Sequence, residues 1–209
     1  EVSNNAGQDI CDIVNNEGFD FLLVGSGISM SDSPDDIAAT RYRTSFYNRY
    51  FKRFKAPESW FYPGALLKDK TKMFIARSNC DVGVFINRNF VKATNTLVVI
   101  SSEEDLFLLD YTRTLLKATH GSVGIVAKMS TTTPGHDQIL KELWDFVSST
   151  PQTQLLPDKD LTPGLFNSYN FMLIGYNTWN DVSEHRKEAL QKMPSTLILN
   201  KNKRSSSDN

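Results

Sequence analysis

The sequence predicts an α/β fold in which a mostly parallel sheet carries helices on both faces. Short apolar runs of strand length alternate along the chain with segments whose apolar residues recur at helical spacing. Such alternation implies parallel strands, because parallel neighbours need long crossover connections and those are usually helical. The chain has 209 residues, of which 40% are hydrophobic, and this is enough for one sizeable core.

The first part of the chain reads as two helix and strand pairs separated by a long excursion. In "GQDICDIVNNEG", Ile10, Ile13 and Val14 have helical spacing, and Cys11 is expected to face a core. The buried strand "FLLVG" follows. After a polar and aromatic stretch, "DKTKMFIARSNC" restores the helical spacing and "DVGVFI" is the next strand.

The second part contains five strands that alternate with three helices. The strands are "TNTLVVISS", "SVGIVAK", the weak "TQLLPD", the strong "YNFMLIGYN" and "STLILNKN". The helix "EEDLFLLDYTRTLLKATHG" has acids at its start and a glycine as its stop signal. "TPGHDQILKELWDFVSST" is the second helix, and "DVSEHRKEALQKMP" is the third, with Asp181 as its predicted cap.

Composition excludes several classes of protein. Lys and Arg number 23 against 24 Asp and Glu, and this balance disfavours a general nucleic-acid binder. No run approaches the roughly 20 apolar residues of a bilayer-spanning helix, and the start does not resemble a signal peptide. Cys11 and Cys80 lack metal-ligand spacing, so we expect two buried free thiols and a reducing compartment.

Catalytic and metal-binding patterns are also missing from the sequence. His120, His136 and His185 belong to three separate elements. There is no paired-cysteine motif, no Gly-x-Ser-x-Gly elbow and no His-Glu-x-x-His. We therefore expect neither an enzyme nor a metal protein.

The segment "RYRTSFYNRYFKRFK", residues 41–55, is the strongest local concentration of charge. On a helical projection its rings cover one half of the circumference and most of its cations lie on the other. It could clamp nucleic acid, lie on an anionic membrane or dock on another part of the protein. We expect the rings to pack on the sheet or on "ESWFYPGALL". The cations then remain for a membrane or domain contact through Arg41, Arg49, Lys52, Arg53 and Lys55.

One stretch of the chain carries a family resemblance. "RSNCDVGVFINRNF", which leads into "LVVISSEEDLFLLDYTRTLLK", resembles the joint between the two universal-stress-protein-like halves in the cytosolic tail of plant and fungal cation/proton antiporters. The positions that fit the family pattern are Cys80, Val82, Gly83 and Arg88. The positions that depart from it are Asp81, Asn87, Ser101 and Ser102.

The resemblance covers most of the chain and implies its organisation. It implies a universal-stress-protein-like fold, of Rossmann or flavodoxin type, with one partial and one complete repeat. Residues 1–92 would be the closing strand, helix and strand of a first half with an insertion at 29–70; 93–202 would be a full second half and 203–209 a flexible tail. The final strands of two such units commonly pair, so we expect "DVGVFI" to meet "STLILN".

The resemblance points most closely to fungal potassium/proton antiporters, and it implies a regulatory role. The chain would be a cytosolic domain that modulates transport by a membrane domain lying before Glu1. Its partners would be that membrane domain, a second copy in a homodimer of the full-length protein and an anionic lipid surface, but no nucleic acid. It would lie on the cytosolic face of an internal membrane, Golgi or endosomal.

Nucleotide binding is the main alternative ligand chemistry. Stress proteins that bind ATP carry a glycine-rich loop after their fourth strand. In the first half, Gly25, Ser26 and Gly27 are the candidate residues; in the second half, Gly175 is followed by bulky Tyr176 in a predicted loop. We expect no cofactor. A free-standing, adenine-nucleotide-binding stress protein is the runner-up reading, and a flavodoxin-like enzyme is the third.

Overall fold

Seven strands form one sheet in the order β1-β2-β7-β6-β3-β4-β5. The computed structural model describes residues 6–25, 72–129, 134–157, 160–185 and 192–202. The strands are β1 (Phe21–Gly25), β2 (Asp81–Ile86), β3 (Asn95–Ile100), β4 (Ser122–Ala127), β5 (Thr153–Pro157), β6 (Phe171–Gly175) and β7 (Ser195–Asn200). Every neighbouring pair is parallel except β2 and β7. The predicted α/β class and all seven predicted strands are confirmed.

Helices cover both faces of this sheet. They are α1 (Ala6–Glu17), α2 (residues 72–77), α3 (Leu108–Thr119), α4 (His136–Ser149), the short α5 (Pro163–Phe166) and α6 (Tyr176–His185). A 3₁₀ turn, Glu103–Asp105, precedes α3. Side chains of α3 and α4 pack on one face of the sheet. Side chains of α5 and α6 pack on the other face, and α1 and α2 pack against β1 and β2.

Helix α1 shows how far spacing alone predicts burial. Cys11 and Val14 are buried as expected, in a small cluster with Leu22 of β1. Ile10 and Ile13, which have the same helical spacing, are exposed. Among the described residues, only part of the apolar face of this helix is therefore packed against its neighbours.

One helix end and one short helix differ from the sequence prediction. Helix α3 ends at His120, which adopts the left-handed conformation with φ 52° and donates its N–H to the Leu116 carbonyl at 3.0 Å. Gly121, predicted as the stop residue, serves a close approach instead, because a Cβ there would overlap the carbonyl oxygen of Thr94. Helix α5 was not predicted; Thr162 caps it by accepting a hydrogen bond from the N–H of Leu165 at 3.3 Å.

The pairing of β2 with β7 joins the two parts of the chain, as predicted. The register is antiparallel and places Val84 opposite Ile198. Both side chains are buried. The proposed domain limits, with the insertion at 29–70 and the tail at 203–209, stay predictions, since much of those segments lies outside the described residues.

An internal twofold relation is visible around this pairing. Strand β1, "FLLVG", corresponds to β6, "FMLIG", and each pairs in parallel with the strand that flanks the β2–β7 seam. Phe21 opposes Asp81 just as Phe171 opposes Ser195. Counting along from these pairs makes Val84 equivalent to Ile198. Those two residues also oppose each other, as residues on a twofold axis must.

Candidate functional site

The sheet order places a switch point between β3 and β6. Strand β4 pairs with one side of β3, and β6 pairs with the other side. From β3, the strand order therefore runs to β4 and β5 in one direction and to β6 and β7 in the other. In open α/β sheets, ligands bind outside the carboxyl ends of the strands at such a point. The residues that follow Ile100 of β3 and Gly175 of β6 therefore form the candidate site.

A buried carboxylate occupies this site. Asp105, in the 3₁₀ turn after β3, is 2% exposed. Its Oδ2 accepts hydrogen bonds from the N–H of Ser101 at 2.8 Å, the Ser101 hydroxyl at 3.1 Å and the N–H of Ser102 at 3.3 Å. The hydroxyl of Thr178, from the first turn of α6, donates to the same oxygen at 2.6 Å and also contacts the Ser101 hydroxyl. The carboxylate thus ties the β3 turn to α6.

Gly175, the last residue of β6, makes room for this carboxylate. A Cβ built on Gly175 would overlap Asp105 Oδ1 and lie 3.1 Å from its Cγ. Such contacts are too short for real side chains, so only glycine fits beside Asp105. The side chain of Asp105 therefore fills the space over the end of β6.

The segment after Gly175 is a helix and not a loop, which corrects the prediction. Helix α6 begins directly at Tyr176, and Thr178 and Trp179 are buried in its first two turns. Asp181, the predicted cap, lies inside the helix and contacts Lys128 Nζ at 3.3 Å. The burial of Thr178 and Trp179 explains the early start, since it docks this turn on the core before Asp181 is reached.

Asp105 occupies backbone donors of the turn after β3. The two backbone N–H groups of the β3 turn are bonded to Asp105, and the adjacent charge is negative. A phosphate at this position would lose those donors and would meet a carboxylate that carries the same sign of charge. In the described part of the chain, the turn after β3 and the start of α6 therefore bind the side chain of Asp105.

The candidate residues of the first half lie mostly outside the described part of the chain. Gly25 ends β1 at the position equivalent to Gly175, and a Cβ there would meet no atom of the described residues within 4 Å. The structure does not describe the other predicted residues, namely Ser26, Gly27, Arg41, Arg49, Lys52, Arg53 and Lys55.

The structure places the three histidines at separate helix ends. His120 follows α3, His136 begins α4 beside Asp137 at 3.1 Å, and His185 ends α6 beside the Asp181 carboxylate at 3.2 Å. In the described part of the chain, no group of three or more His, Cys, Asp or Glu side chains could hold a metal ion.

A second polar cluster lies at the β2–β7 seam and was also missed. Asp81, at the start of β2, accepts the hydroxyl of Tyr111 at 2.9 Å and the N–H of Asn202 at 2.8 Å. Asn202 also donates its side-chain amide to the carbonyl of Ser78 at 2.9 Å. The cluster ties α3 and the segment after β7 to the joint between the two parts. Asp81 was noticed only as a departure from the family pattern.

Two groups near this seam have raised pKa values. Burial is the main cause of the raised pKa of Tyr111. The Asp81 carboxylate raises this pKa further, because it accepts a hydrogen bond from the protonated hydroxyl and would repel the phenolate. Burial also raises the pKa of the Cys80 thiol above its usual value. Both groups are therefore neutral near pH 7, and Cys80 behaves as a core residue.

Comparison with known proteins supports the fold assignment. No protein-family description and no curated protein matches the chain. Fourteen solved chains do match. One of them is a universal stress protein from Archaeoglobus fulgidus DSM 4304, with a TM-score of 0.52 and 11% sequence identity. The match covers 94% of this chain and 66% of that protein. The chain therefore has the universal stress protein fold, and an identity this low carries nothing further.

Proposed function

We propose that this chain is a cytosolic regulatory domain of a potassium/proton antiporter. Two things support this proposal. The joint sequence around β2 resembles that of antiporter tails, and the fold is that of the universal stress proteins, which the same resemblance implied. Transport itself would be carried out by a membrane domain elsewhere in the protein. None of the described helices is long and apolar enough to cross a bilayer.

The switch point filled by Asp105 is the observation that favours a regulatory role over a role that depends on a bound ligand. Asp105 fills the position where an open α/β sheet of this kind would accept a ligand, and Gly175 leaves just enough space for it. Such a domain would act on a transporter by binding two of its conformations with different affinity.

The proposed setting follows from the same role. The domain would face the cytosol at an internal membrane, where its partners are the transport domain of the same polypeptide and anionic lipids. A second copy would be brought close by dimerisation of the full-length protein. We propose no cofactor and no catalytic activity for the domain.

A free-standing stress protein that binds adenine nucleotide is the second candidate, and one observation favours it. Among the described residues, no atom lies within 4 Å of a Cβ built on Gly25, unlike its equivalent Gly175. No described carboxylate lies against Gly25 as Asp105 lies against Gly175.

Two measurements separate the candidates. The full reading frame of an antiporter would encode a series of apolar helices of roughly 20 residues before Glu1. A frame without them would reject the proposal. Mass spectrometry of small molecules released from the purified, denatured protein tests the second candidate, with a known ATP-binding stress protein as the positive control. Release of stoichiometric adenine nucleotide would favour the nucleotide-binding reading.

A further inference from the structure

The start of α3 is anchored by two carboxylates that belong to different regions. Asp105, in the 3₁₀ turn that leads into the helix, accepts hydrogen bonds from the N–H of Ser101 and the hydroxyl of Thr178. Further along, Tyr111 donates its hydroxyl to the Asp81 carboxylate at 2.9 Å. The first anchor lies at the switch point and the second at the β2–β7 seam. The same stretch of chain therefore contacts both polar clusters.

The stretch between the two anchors is one hydrogen-bonded unit. Leu106 donates its N–H to the Glu103 carbonyl at 3.1 Å, and Leu109 donates its N–H to the Leu106 carbonyl at 3.0 Å, so the 3₁₀ turn runs directly into α3. The rings of Phe107 and Tyr111 also touch, with their centroids 6.0 Å apart. Packed elements of this kind move as rigid bodies, so a shift at Asp105 is transmitted to Tyr111.

Asp81 extends this contact to the segment that follows β7. Its Oδ2 accepts the Tyr111 hydroxyl, and its Oδ1 accepts the N–H of Asn202 at 2.8 Å. The Asn202 side chain donates to the Ser78 carbonyl at 2.9 Å. Because a single carboxylate serves both donors, the Tyr111 hydroxyl helps to hold it in the orientation that the Asn202 N–H requires.

The twofold relation supplies an internal comparison for this contact. Asp81 and Ser195 are equivalent, since they are the first residues of the two seam strands. Counting along both strands makes Arg88 equivalent to Asn202, and the N–H of Arg88 donates to the Ser195 hydroxyl oxygen at 2.8 Å. The seam thus has two matching contacts at its opposite ends. The contact at Asp81 is the one that Tyr111 joins to α3.

We propose that α3 couples the switch point to the segment after β7, residues 201–202. In this arrangement the hydrogen bonds of Asp105 and those of Asp81 stabilise each other through the helix. Any event that displaces Asp105 would loosen Asn202, and loss of the Asp81 contact would loosen the turn after β3, because coupling between two sites is reciprocal. The inference does not rest on the proposed transport function, since it concerns contacts within the chain alone.

Amide hydrogen exchange, followed by NMR on the 209-residue chain, tests the coupling. Asp105→Ala removes the acceptor at the switch point. We expect the Asn202 amide to exchange at least about fivefold faster, relative to the amide of buried Leu97 in β3, which reports opening of the whole fold. The Arg88 amide, at the equivalent contact, should keep its rate relative to Leu97.

Milder and reciprocal variants complete the test. Thr178→Val removes one donor to Asp105 and should act on Asn202 in the same direction with a smaller change, so it serves if Asp105→Ala does not fold. Tyr111→Phe should speed exchange of the Ser101 amide, which lies at the other anchor.

Asp110→Asn is the matched control on the same helix. The Asp110 side chain is exposed and pairs with Arg113, so its substitution should change neither the Ser101 nor the Asn202 amide.

The double variant decides whether the coupling runs through α3. In the Tyr111→Phe background, Asp105→Ala should no longer alter the Asn202 amide. An effect that persists there would assign the coupling to the β6–β7 pairing and reject the role of α3. Unchanged Asn202 exchange in both Asp105→Ala and Thr178→Val would overturn the inference, as would equal acceleration of Asn202 and Arg88. Because no readout involves transport, a failure here leaves the proposed function untouched.

Discussion

Gly25 and Gly175 are equivalent by the internal twofold relation, yet their surroundings differ. Gly175→Ala would drive a methyl group into the Asp105 carboxylate, whereas Gly25→Ala would place one where it meets no atom of the described residues. We expect the first change to lower the free energy of unfolding by about 2–4 kcal/mol, through overpacking and loss of the Asp105 hydrogen bonds. The second should change it by less than about 0.5 kcal/mol. Urea denaturation of the two variants measures this difference.

Equal effects of the two glycine changes would contradict the arrangement at the switch point. A stable Gly175→Ala variant would mean that Asp105 does not lie over the end of β6. In that case the site would be open, and the argument against a bound anion would fail with it.

Tyr111 makes the stability of the seam depend on pH. Its hydroxyl must keep its proton to donate to Asp81, and its pKa is raised in the folded state. This contribution is therefore fully present below the ordinary tyrosine pKa of about 10 and is lost as the pH rises above that value. We expect Tyr111→Phe to cost about 1–2 kcal/mol at pH 8 and markedly less at pH 11.

Denaturation of wild type and Tyr111→Phe at both pH values checks this expectation. Asp81→Asn tests the hydrogen bond separately, since Tyr111→Phe should cost less at pH 8 in that background. A gap between wild type and variant that stays constant from pH 8 to pH 11 would mean that the pKa of Tyr111 is not raised in the folded state.

Strand β7 has a neighbour on each side, and this determines how it responds to mutation. It pairs with β2 and β6, and Ile198 at its centre is buried. We expect Ile198→Lys to destabilise the fold by more than about 3 kcal/mol, because a charge would be buried without a partner. Val91→Lys, at an exposed position, should be nearly neutral.

Analytical ultracentrifugation extends this test to assembly. Because the β7 edge is used within the chain, we expect the isolated 209-residue chain to dimerise only weakly. A tight dimer that Ile198→Lys or Leu197→Lys dissociates into folded monomers would contradict the internal use of β7.

Strands were easier to predict from this sequence than helix ends. All seven strands stand out as apolar runs flanked by glycine or polar residues, and the family resemblance added the β2–β7 pairing. The predicted start of α6 was wrong because Thr178 and Trp179 are held by tertiary contacts that outweigh the capping preference of Asp181. The exposure of Ile10 and Ile13 shows that helical spacing does not tell how much of a helix is covered.

The candidate site was only half visible in the sequence. The acids after β3 were noticed, but three of them occur in a row, and only Asp105 turns inward. Asp105 turns inward because there is space for it beside Gly175 and because the hydroxyl of Thr178 donates to it. Both residues are distant from Asp105 in sequence. The likeness of "FLLVG" to "FMLIG" was a signal that could have led to this region.

The basic and aromatic segment 41–55 lies outside the described residues, and its role stays a prediction. The molecule as a whole is nearly neutral, so a cluster of cations would act locally. We expect weak, salt-sensitive binding to vesicles that contain phosphatidylserine or phosphoinositide, at about 1 kcal/mol for each basic residue near the surface. The triple variant Arg49→Glu, Lys52→Glu, Arg53→Glu should lose this binding and remain folded.

Vesicle sedimentation at low and high salt measures the effect, with neutral phosphatidylcholine vesicles as the control. Binding that does not respond to salt or to the triple variant would leave this stretch with a packing role alone.

Potassium-dependent proton exchange in proteoliposomes tests the central claim most directly. The full-length product of the reading frame is compared with the same protein ended before Glu1. We predict that both exchange potassium for protons and that their rates differ by about fivefold or more under some condition of pH or potassium, as expected for a regulatory coupling. The claim would be contradicted if the full-length protein showed no exchange, or if removal of the domain left the rate unchanged at every pH and potassium concentration.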